Sequence, residues 1–288
     1  LDRYCEENEV INVFELLKMF LRIETIKIKS ETKKSRIEFE KLIYSYIFNL
    51  GVNLDLPIYP LRYFDEFASR ARIRMRRSSP DEIEAPKRIY INDLVLFYQR
   101  AIVSESLDNQ FLSFYHILEH FFDEVYNEDL INSVRKEISK GTFSYKREKD
   151  IKKLTDLIKN KLKYKNEEFL IQEDEALILT LKKYIKDIND LKNEITEFDQ
   201  ELIEFFKSNE VMFSKGNKIN FDNENHDEIF KNLSKRIYMT RNAIVHSKET
   251  DKDRNKYLPF RDDKHLLKEN ILMRLIAEKI IFESSKEI

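Results

Sequence analysis

The stretch QFLSFYHILEHFFDEVY, residues 110–126, decides the fold class of this chain. Drawn as a helix, it carries bulky apolar side chains on almost every side and only a few polar ones. A helix that is hydrophobic all round has to be buried on all sides. The stretch therefore predicts the central helix of a helical bundle, and with it a protein that is mainly α.

The glycine content also favours a helical fold. Only three of the 288 residues are glycine, whereas Gly-cradled nucleotide folds and turn-rich β-sandwiches need repeated backbone positions with positive φ. The chain has one cysteine, Cys5, which excludes an internal disulfide framework and a zinc site built from cysteines. We predict no cofactor and no bound metal.

Charge is nearly balanced, with 51 basic and 53 acidic residues and a formal net charge of −2. The chain as a whole is therefore not expected to attract nucleic acid, and any RNA site has to be a local basic patch. No apolar stretch approaches the roughly 18 residues of a membrane-spanning helix, and the first residues given do not follow the basic-then-apolar pattern expected of a signal peptide. We expect a cytoplasmic protein without membrane contact. Because the initiator methionine is missing, we also expect a piece of a longer parent chain.

Three amphipathic helices are predicted outside the central stretch: one from about residue 92 to an end between Ser104 and Asp108, one over about residues 225–246 and one over about residues 263–284. Side chains that accept a hydrogen bond from a backbone amide mark helix starts. The predicted starts of this kind are Asn92 or Asp93, and Asn225 or Asp227.

Four of the five prolines fall within residues 51–90, which are predicted to form loops or short elements and to contain the domain boundary. We divide the chain into an N-terminal accessory region, residues 1–90, and a helical domain, residues 91–288. The accessory region is mixed or helical, with a helix that begins near Ser35. Residues 127–210 are predicted to form a long helical insertion in the domain.

Apolar residues recur at alternating steps of three and four from Leu181 to Phe205. This spacing predicts a heptad seam sustained over more than three heptads, and such a seam needs one partner helix. The partner is either a helix of the same chain over residues 147–165 or the same segment of a second subunit. The residues that follow, 211–221, are typical of a short hairpin or loop.

Arg70, Arg72, Arg74 and Arg76 alternate with other residues in the proline-rich region. In an extended chain these arginines would line one face, as contact with RNA phosphates requires. Alternatively, they form a solvated face that nearby acidic residues neutralise. We retain the four arginines as RNA-binding candidates.

His116, Glu119 and His120 match the letters H-x-x-E-H of an inverted zinc-protease motif. On a helix the two histidines share a face, so two nitrogen ligands beside a carboxylate are geometrically feasible. A packed polar pair is the second interpretation, and a supporting role beside another active site is the third. Because the chain otherwise has helical patterns throughout, we favour no metal here and retain His116 and Glu119 as supporting candidates.

A second motif lies near the end of the helix predicted over residues 225–246. Arg241 is followed by a polar residue, Asn242, and five positions later by His246. Five residues of a regular helix turn a side chain by about 140°, so Arg241 and His246 do not share a face. They converge only if the helix ends or kinks between them, or if two chains combine them. As the structural alternative, His246 is a helix-end cation that interacts with backbone carbonyls.

With this motif, the sequence resembles the HEPN (higher eukaryotes and prokaryotes nucleotide-binding) domains. In that family an Arg, usually followed by Asn, His or Asp, precedes a His by four to six positions, and Arg241, Asn242 and His246 match this pattern. The resemblance covers residues 92–288. It implies a helical bundle and, in active members, a metal-independent ribonuclease whose Arg and His residues come from two chains in a shared cleft. One branch of the family is modified on a Tyr two residues after the His, where this chain has Lys248.

The resemblance makes Arg241, Asn242 and His246 the predicted catalytic residues. An imidazole can accept the proton of the ribose 2′-hydroxyl or donate one to the departing 5′-oxygen. A guanidinium stabilises the charge that develops on the phosphate, because it offers two parallel donors. Asn242 would orient the phosphate or the imidazole.

The predicted function is therefore that of a homodimeric endoribonuclease, a hydrolase that cleaves single-stranded RNA as a toxin or antiviral effector. A regulatory partner protein or a larger parent chain would control it. Two alternatives stay open. One is a non-catalytic HEPN-like module that binds a nucleotide, RNA or a partner protein, and the other is a scaffold that assembles through the seam of residues 181–205.

Overall fold

A computed structural model of the chain describes residues 27–39, 43, 87–161, 163–165, 168–170, 173–246 and 256–287. The chain divides into two compact units, Leu1–Arg62 and Tyr63–Ile288. The boundary predicted at residue 90 stays a prediction, because residues 44–86 lie outside the described residues. The four RNA-binding candidates of this range lie outside them as well: Arg70, Arg72, Arg74 and Arg76.

In the first unit a helix begins at the predicted position. The backbone amide of Ser35 donates a hydrogen bond to Oε2 of Glu38 at 2.7 Å, and the amide of Glu38 donates to Oγ of Ser35 at 3.3 Å. This reciprocal pair is a capping box. The bond from the Ser35 amide also lowers the pKa of the Glu38 carboxyl. Residues 36–39 and 43 are helical, and the rest of the predicted helix lies outside the described residues.

The second unit is mainly helical, which confirms the predicted fold class. Its described residues form nine α-helices: α1 (Asn92–Val103), α2 (Leu107–Glu119), α3 (Phe122–Ile138), α4 (Glu148–Lys161), α5 (Glu173–Tyr184), α6 (Ile188–Phe198), α7 (Glu201–Ser208), α8 (His226–Val245) and α9 (Asp263–Glu283). Two antiparallel strand pairs complete it: β1 (Arg88–Ile89) with β4 (Lys286–Glu287), and β2 (Lys163–Lys165) with β3 (Glu168–Leu170). None of the described helices combines the length and the apolar composition that crossing a bilayer requires.

α2 lies at the centre of the core, as its apolar sequence predicts. It packs against α1 and α9, with further contacts to α5 and α8, and Phe111, Phe114 and Leu118 are almost completely buried. The predicted extent of this helix is wrong, because α2 ends at Glu119 and α3 begins at Phe122. The apolar pattern runs across the break because each helix buries its own face in the same core.

The residues of the predicted heptad seam, 181–205, are divided among α5, α6 and α7, so the prediction of one continuous seam is wrong. At the first break Asp187 accepts a hydrogen bond from the amide of Asn189 at 2.8 Å. At the second break Asp199 accepts one from the amide of Glu201 at 2.9 Å. Short acidic side chains thus satisfy the free amides at both helix starts.

The apolar residues of the seam are buried within their own chain. Leu181, Leu191 and Leu202 are 1% exposed or less and belong to the main core. The partner predicted over residues 147–165 is wrong, because α5 packs mainly against α3 and α8, whereas α4 packs against α3. The seam therefore stabilises the unit itself.

The predicted cap of α8 is confirmed, whereas that of α1 is wrong, although α1 begins at Asn92 as predicted. The side chain of Asn225 caps α8 by accepting a hydrogen bond from the amide of Glu228 at 3.4 Å. α9 also ends within one residue of its predicted end. The residue before α1 is Ile91, whose side chain has no hydrogen-bond acceptor. Asn92 and Asp93, the two predicted caps, are inside the helix instead.

A buried arginine joins α8 to α9 and to the loop that precedes α8. The side chain of Arg236 is 0% exposed, and its Nε and Nη2 each donate to the carboxylate of Glu269 at 2.7 Å. Its Nη1 donates to the carbonyl oxygens of Asn209 and Asn217, both at 2.8 Å. The ring of Phe206 covers the guanidinium at 5.0 Å. This network fixes α8 against the rest of the unit.

Gly216 lies where the loop of residues 211–221, one of the two predicted alternatives for this segment, presses against α8. A Cβ on Gly216 would lie 3.0 Å from the carbonyl oxygen of Arg236 and 3.0 Å from Cγ2 of Val211.

Since the backbone that a Cβ on Gly216 would meet carries the buried arginine, Gly216→Ala is expected to lower the free energy of unfolding by about 1–3 kcal/mol in urea denaturation. Gly141→Ala is the matched control, because no described atom lies within 4 Å of a Cβ there, and its effect should stay below about 0.5 kcal/mol. Equal effects of the two substitutions would contradict the close approach.

Candidate functional site

The last turn of α8 carries the three predicted catalytic residues. α8 ends at Val245, and His246 is its C-cap, with extended backbone angles of φ −99° and ψ 97°. The helix thus ends between Arg241 and His246, which is one of the conditions for their convergence. The amide of Tyr257 donates to the carbonyl oxygen of Ala243 at 3.0 Å, so the segment before α9 packs on the same turn.

Arg241 is held between α2 and α5. Its Nη1 lies 3.6 Å from Oε2 of Glu173, the first residue of α5, and donates to Oδ1 of Asn242 at 3.1 Å. The guanidinium carbon lies 5.5 Å from the ring centroid of Tyr115, within the range of a cation–π contact. The side chain of Arg241 is 20% exposed, so an anion in solution can reach part of its planar donor group.

The supporting candidates His116 and Glu119 lie on α2, and the Glu119 carboxylate interacts electrostatically with this arginine. Nδ1 of His116 lies 2.7 Å from Oε2 of Glu119, and the ring of Phe97 lies 5.2 Å from the imidazole. The hydrogen bond with His116 lowers the pKa of the Glu119 carboxyl, and the charge of Arg241 lowers it further, while partial burial opposes both. The structure thus brings the predicted pair and Arg241 into one electrostatic neighbourhood.

Tyr115 lies beneath the guanidinium. Its side chain is almost completely buried, and its hydroxyl has no hydrogen-bond partner among the described residues. Burial raises the pKa of this phenol, and the charge of Glu173 raises it further, while Arg241 opposes both. The phenol therefore stays neutral and does not balance the charge of Arg241. That charge is balanced by the carboxylates of Glu173 and Glu119, so a phosphate that approaches Arg241 has to compete with Glu173.

His246 is exposed at the end of α8. Among the described residues, Arg241 makes its contacts with Glu173, Asn242 and Tyr115 rather than with this imidazole. A single chain therefore shows no contact between the two groups. Their convergence in a cleft shared by two chains stays a prediction.

The residues of the H-x-x-E-H motif perform separate tasks in the fold. Nδ1 of His116 is hydrogen-bonded to the carboxylate of Glu119. His120 instead forms the C-cap of α2 and packs edge-on against Phe121, with 4.9 Å between ring centroids. In the part of the chain that the structure describes, no group of three or more His, Cys, Asp or Glu side chains is arranged to hold a metal ion. His116 and Glu119 form a polar pair at the surface of α2, with side chains 42% and 37% exposed.

Sequence reasoning does not identify Glu173 or Tyr115 as neighbours of Arg241. Tyr115 is one of many aromatic residues in the central stretch, and nothing in the sequence distinguishes it. Glu173 begins an acidic run that is typical of a helix N-terminus, which indicates where α5 starts but not which cation it faces. Only the packing of α2, α5 and α8 brings the three side chains together.

Comparison with protein-family models, curated proteins and solved structures found no match to this chain. The resemblance to HEPN domains therefore stays a prediction that depends on the residues of the motif.

Proposed function

We propose that this protein is a HEPN-type, metal-independent endoribonuclease that cleaves single-stranded RNA as a homodimer in the cytoplasm. The observation that best supports the proposal is that Arg241, Asn242 and His246 occupy the last turn and the C-cap of α8. The imidazole is exposed there and the guanidinium partly exposed. A polymer that is too large for a buried cavity can reach both groups at such a helix end.

In the proposed reaction the 2′-oxygen of a ribose attacks the adjacent phosphorus, and the bond from phosphorus to the 5′-oxygen of the next nucleotide breaks. One His246 imidazole accepts the proton of the 2′-hydroxyl, and the protonated imidazole of the partner's His246 donates a proton to the leaving oxygen. The products are a 2′,3′-cyclic phosphate and a 5′-hydroxyl. The attack requires neither a metal-bound water nor an external nucleophile.

Arg241 stabilises the negative charge that develops on the phosphate. A phosphate offers two oxygens to the planar guanidinium, whereas Glu173 lies 3.6 Å from a single nitrogen, so the phosphate competes effectively for this cation. Asn242 acts through its bond to Nη1 of Arg241, which limits the orientations of the guanidinium before the substrate binds.

The proposal needs two chains because one chain supplies one imidazole and one guanidinium at this turn, and the two do not touch. Dimerisation would provide a base, an acid and a charge stabiliser in one cleft. Cleavage of cellular or viral RNA would arrest growth, so we propose a role as a toxin or antiviral effector, by analogy with other ribonucleases of this kind. A regulatory partner protein or a larger parent chain would restrain it.

Incubation of labelled single-stranded RNA with the protein in excess EDTA is the direct test. We expect cleavage products with 2′,3′-cyclic phosphate and 5′-hydroxyl ends, because only protons move between the enzyme and the substrate. DNA of the same sequence should stay intact, because it lacks the 2′-hydroxyl. Loss of cleavage on chelation, or cleavage of the DNA, would contradict the proposal. Binding of RNA without any cleavage would indicate the non-catalytic module instead.

A further inference from the structure

The end of α3, the loop that follows it and α4 form a strongly basic surface, residues 135–161, named here the α3–α4 surface. It contains ten basic and four acidic residues, a net charge of +6 in a chain whose total is −2. The rest of the chain therefore carries a net charge of −8. Such a concentration is the local patch that a nearly neutral chain needs in order to attract a polyanion. The basic residues are Arg135, Lys136, Lys140, Lys146, Arg147, Lys149, Lys152, Lys153, Lys159 and Lys161.

Most of these cations are free to bind an external anion. Four of the ten form ion pairs within the unit: Lys140 and Lys153 with Glu137, Arg147 with Asp150, and Lys161 with Asp129. The other six are exposed and form no ion pair with a described residue: Arg135, Lys136, Lys146, Lys149, Lys152 and Lys159. Their charge is therefore available at the surface.

α4 concentrates its lysines on one face. Within an arc of about 120° and about 15 Å along the axis, the helix presents four of them: Lys149, Lys152, Lys153 and Lys159. The half-buried apolar side chains lie on the other face of this helix, which packs against α3: Leu154, Leu157 and Ile158. Asp156 is the one carboxylate in the middle of the lysine face, so its removal is expected to strengthen the attraction for an anion.

Tyr145 adds an aromatic platform to this surface. It lies in the loop before α4 with 75% of its surface exposed, and Nζ of Lys146 lies 5.9 Å from its ring centroid. Proteins that bind single strands combine exposed aromatic rings, on which bases stack, with cations that contact the phosphates. The loop presents both elements side by side.

An anionic membrane is the other large polyanion that a basic amphipathic helix can bind. Binding of that kind inserts the apolar face of the helix into the lipid. On α4, Leu154, Leu157 and Ile158 are half-buried against α3. Ile151, which is 41% exposed, is the one apolar side chain of this helix that is open for insertion, and a single side chain buries too little apolar area to hold a helix in lipid. The contacts favour a polynucleotide over a membrane.

We propose that the α3–α4 surface docks the backbone of single-stranded RNA, with one base stacked on Tyr145. That the polynucleotide is RNA rests on the proposed function. The charge of the surface and the exposed ring of Tyr145 favour a single-stranded polynucleotide independently of that function. In an active enzyme, this surface raises the local concentration of the substrate and leaves the proton transfers to the end of α8.

The test measures binding of a labelled, 2′-O-methylated RNA of about 20 nucleotides to the full chain, because this RNA lacks the attacking hydroxyl and stays intact. K149Q/K152Q/K159Q is expected to raise the Kd at least about tenfold and to reduce the slope of log Kd against log salt by about 2, since each lost phosphate contact contributes about 0.7. Tyr145→Ala should raise the Kd about fivefold or more through the lost stacking, whereas Tyr145→Phe keeps the ring and should leave the Kd unchanged.

K218Q/K231Q/K235Q is the matched control, because it removes three exposed lysines outside this surface. This control variant should change the Kd less than about twofold. Asp156→Lys, which replaces the carboxylate in the middle of the lysine face by a cation, should lower the Kd. Equal weakening by the two triple variants, or an unchanged Kd in the first, would overturn the proposal. So would preferential binding of the wild-type chain to phosphatidylserine vesicles. The readout does not depend on turnover, so a protein that binds in this way but leaves unmodified RNA intact would refute the nuclease proposal alone.

Discussion

Replacement of Arg236 by methionine is expected to lower the free energy of unfolding by about 3–5 kcal/mol, measured by urea denaturation. The substitution leaves the carboxylate of Glu269, which is 3% exposed, without its counter-charge. It also removes the donor that satisfies the carbonyl oxygens of Asn209 and Asn217. A buried charge that loses its partner costs more than the intact pair contributes to stability, because it keeps the full desolvation penalty.

Two variants separate this effect from the general loss of an arginine. Arg135→Met makes the same chemical change at an exposed position of α3 and should alter the free energy of unfolding by less than about 0.5 kcal/mol. R236M/E269M replaces both charges by apolar side chains of similar length and should regain a large part of the loss. A loss below about 1 kcal/mol in R236M, or a double variant less stable than R236M, would contradict the network described here.

In the RNA cleavage assay, His246→Ala is expected to lower kcat by about 10²–10⁴-fold, the usual contribution of a positioned acid or base. The expectation depends on the proposed function. Because His246 is exposed, the free energy of unfolding should change by less than about 0.5 kcal/mol. His226→Ala is the matched control, since it removes an exposed histidine from the other end of α8, and it should leave the rate within about twofold.

Substitution of Arg241 tests the charge stabiliser. Arg241→Lys keeps the charge but loses the two parallel donors, so it should still lower kcat by more than about tenfold. Dimers of one wild-type and one His246→Ala chain test the shared cleft and should be nearly as inactive as the His246→Ala dimer, because the cleft then lacks either its base or its acid. A His246→Ala enzyme as active as His226→Ala, or a mixed dimer with half of the wild-type activity, would argue against the two-chain site.

The helices could be predicted where the signal is local. The cap of α8 at Asn225 and the end of α9 could both be predicted, because capping and the spacing of apolar residues act within one or two turns of the helix. The break after α2 could not be predicted in this way. Phe121, at the break, is buried against Tyr184 with 4.5 Å between ring centroids, and this tertiary contact has no counterpart in the local pattern.

Arg236 shows the limit of local patterns. It stands between Leu233 and Ile237, both buried, where helical spacing predicts an apolar side chain. From the sequence alone the arginine is a defect in the core face of α8. Its partner Glu269 comes from α9 and its carbonyl acceptors from a loop, so only the folded chain shows how the charge is compensated.

The candidate site divides along the same line. Arg241, Asn242 and His246 are neighbours in the sequence, so a motif could identify them. Glu173 and Tyr115 come from α5 and α2, and only the folded chain shows that they surround the guanidinium. The α3–α4 surface could be predicted in part. Its lysine-rich composition is visible in the sequence, but only the folded chain shows that most of its cations form no ion pair with a described residue.

The pairing of β1 with β4 has a consequence for the order of events during folding. Arg88 lies opposite Glu287 in the register, and its Nε donates to Oγ of Ser285 at 2.6 Å across 197 residues of sequence. Closing a loop of this length costs conformational entropy before any contact is gained. The two short strands therefore meet only after the helices between them have collapsed and brought their ends together, which makes this contact one of the last to form and one of the first to open.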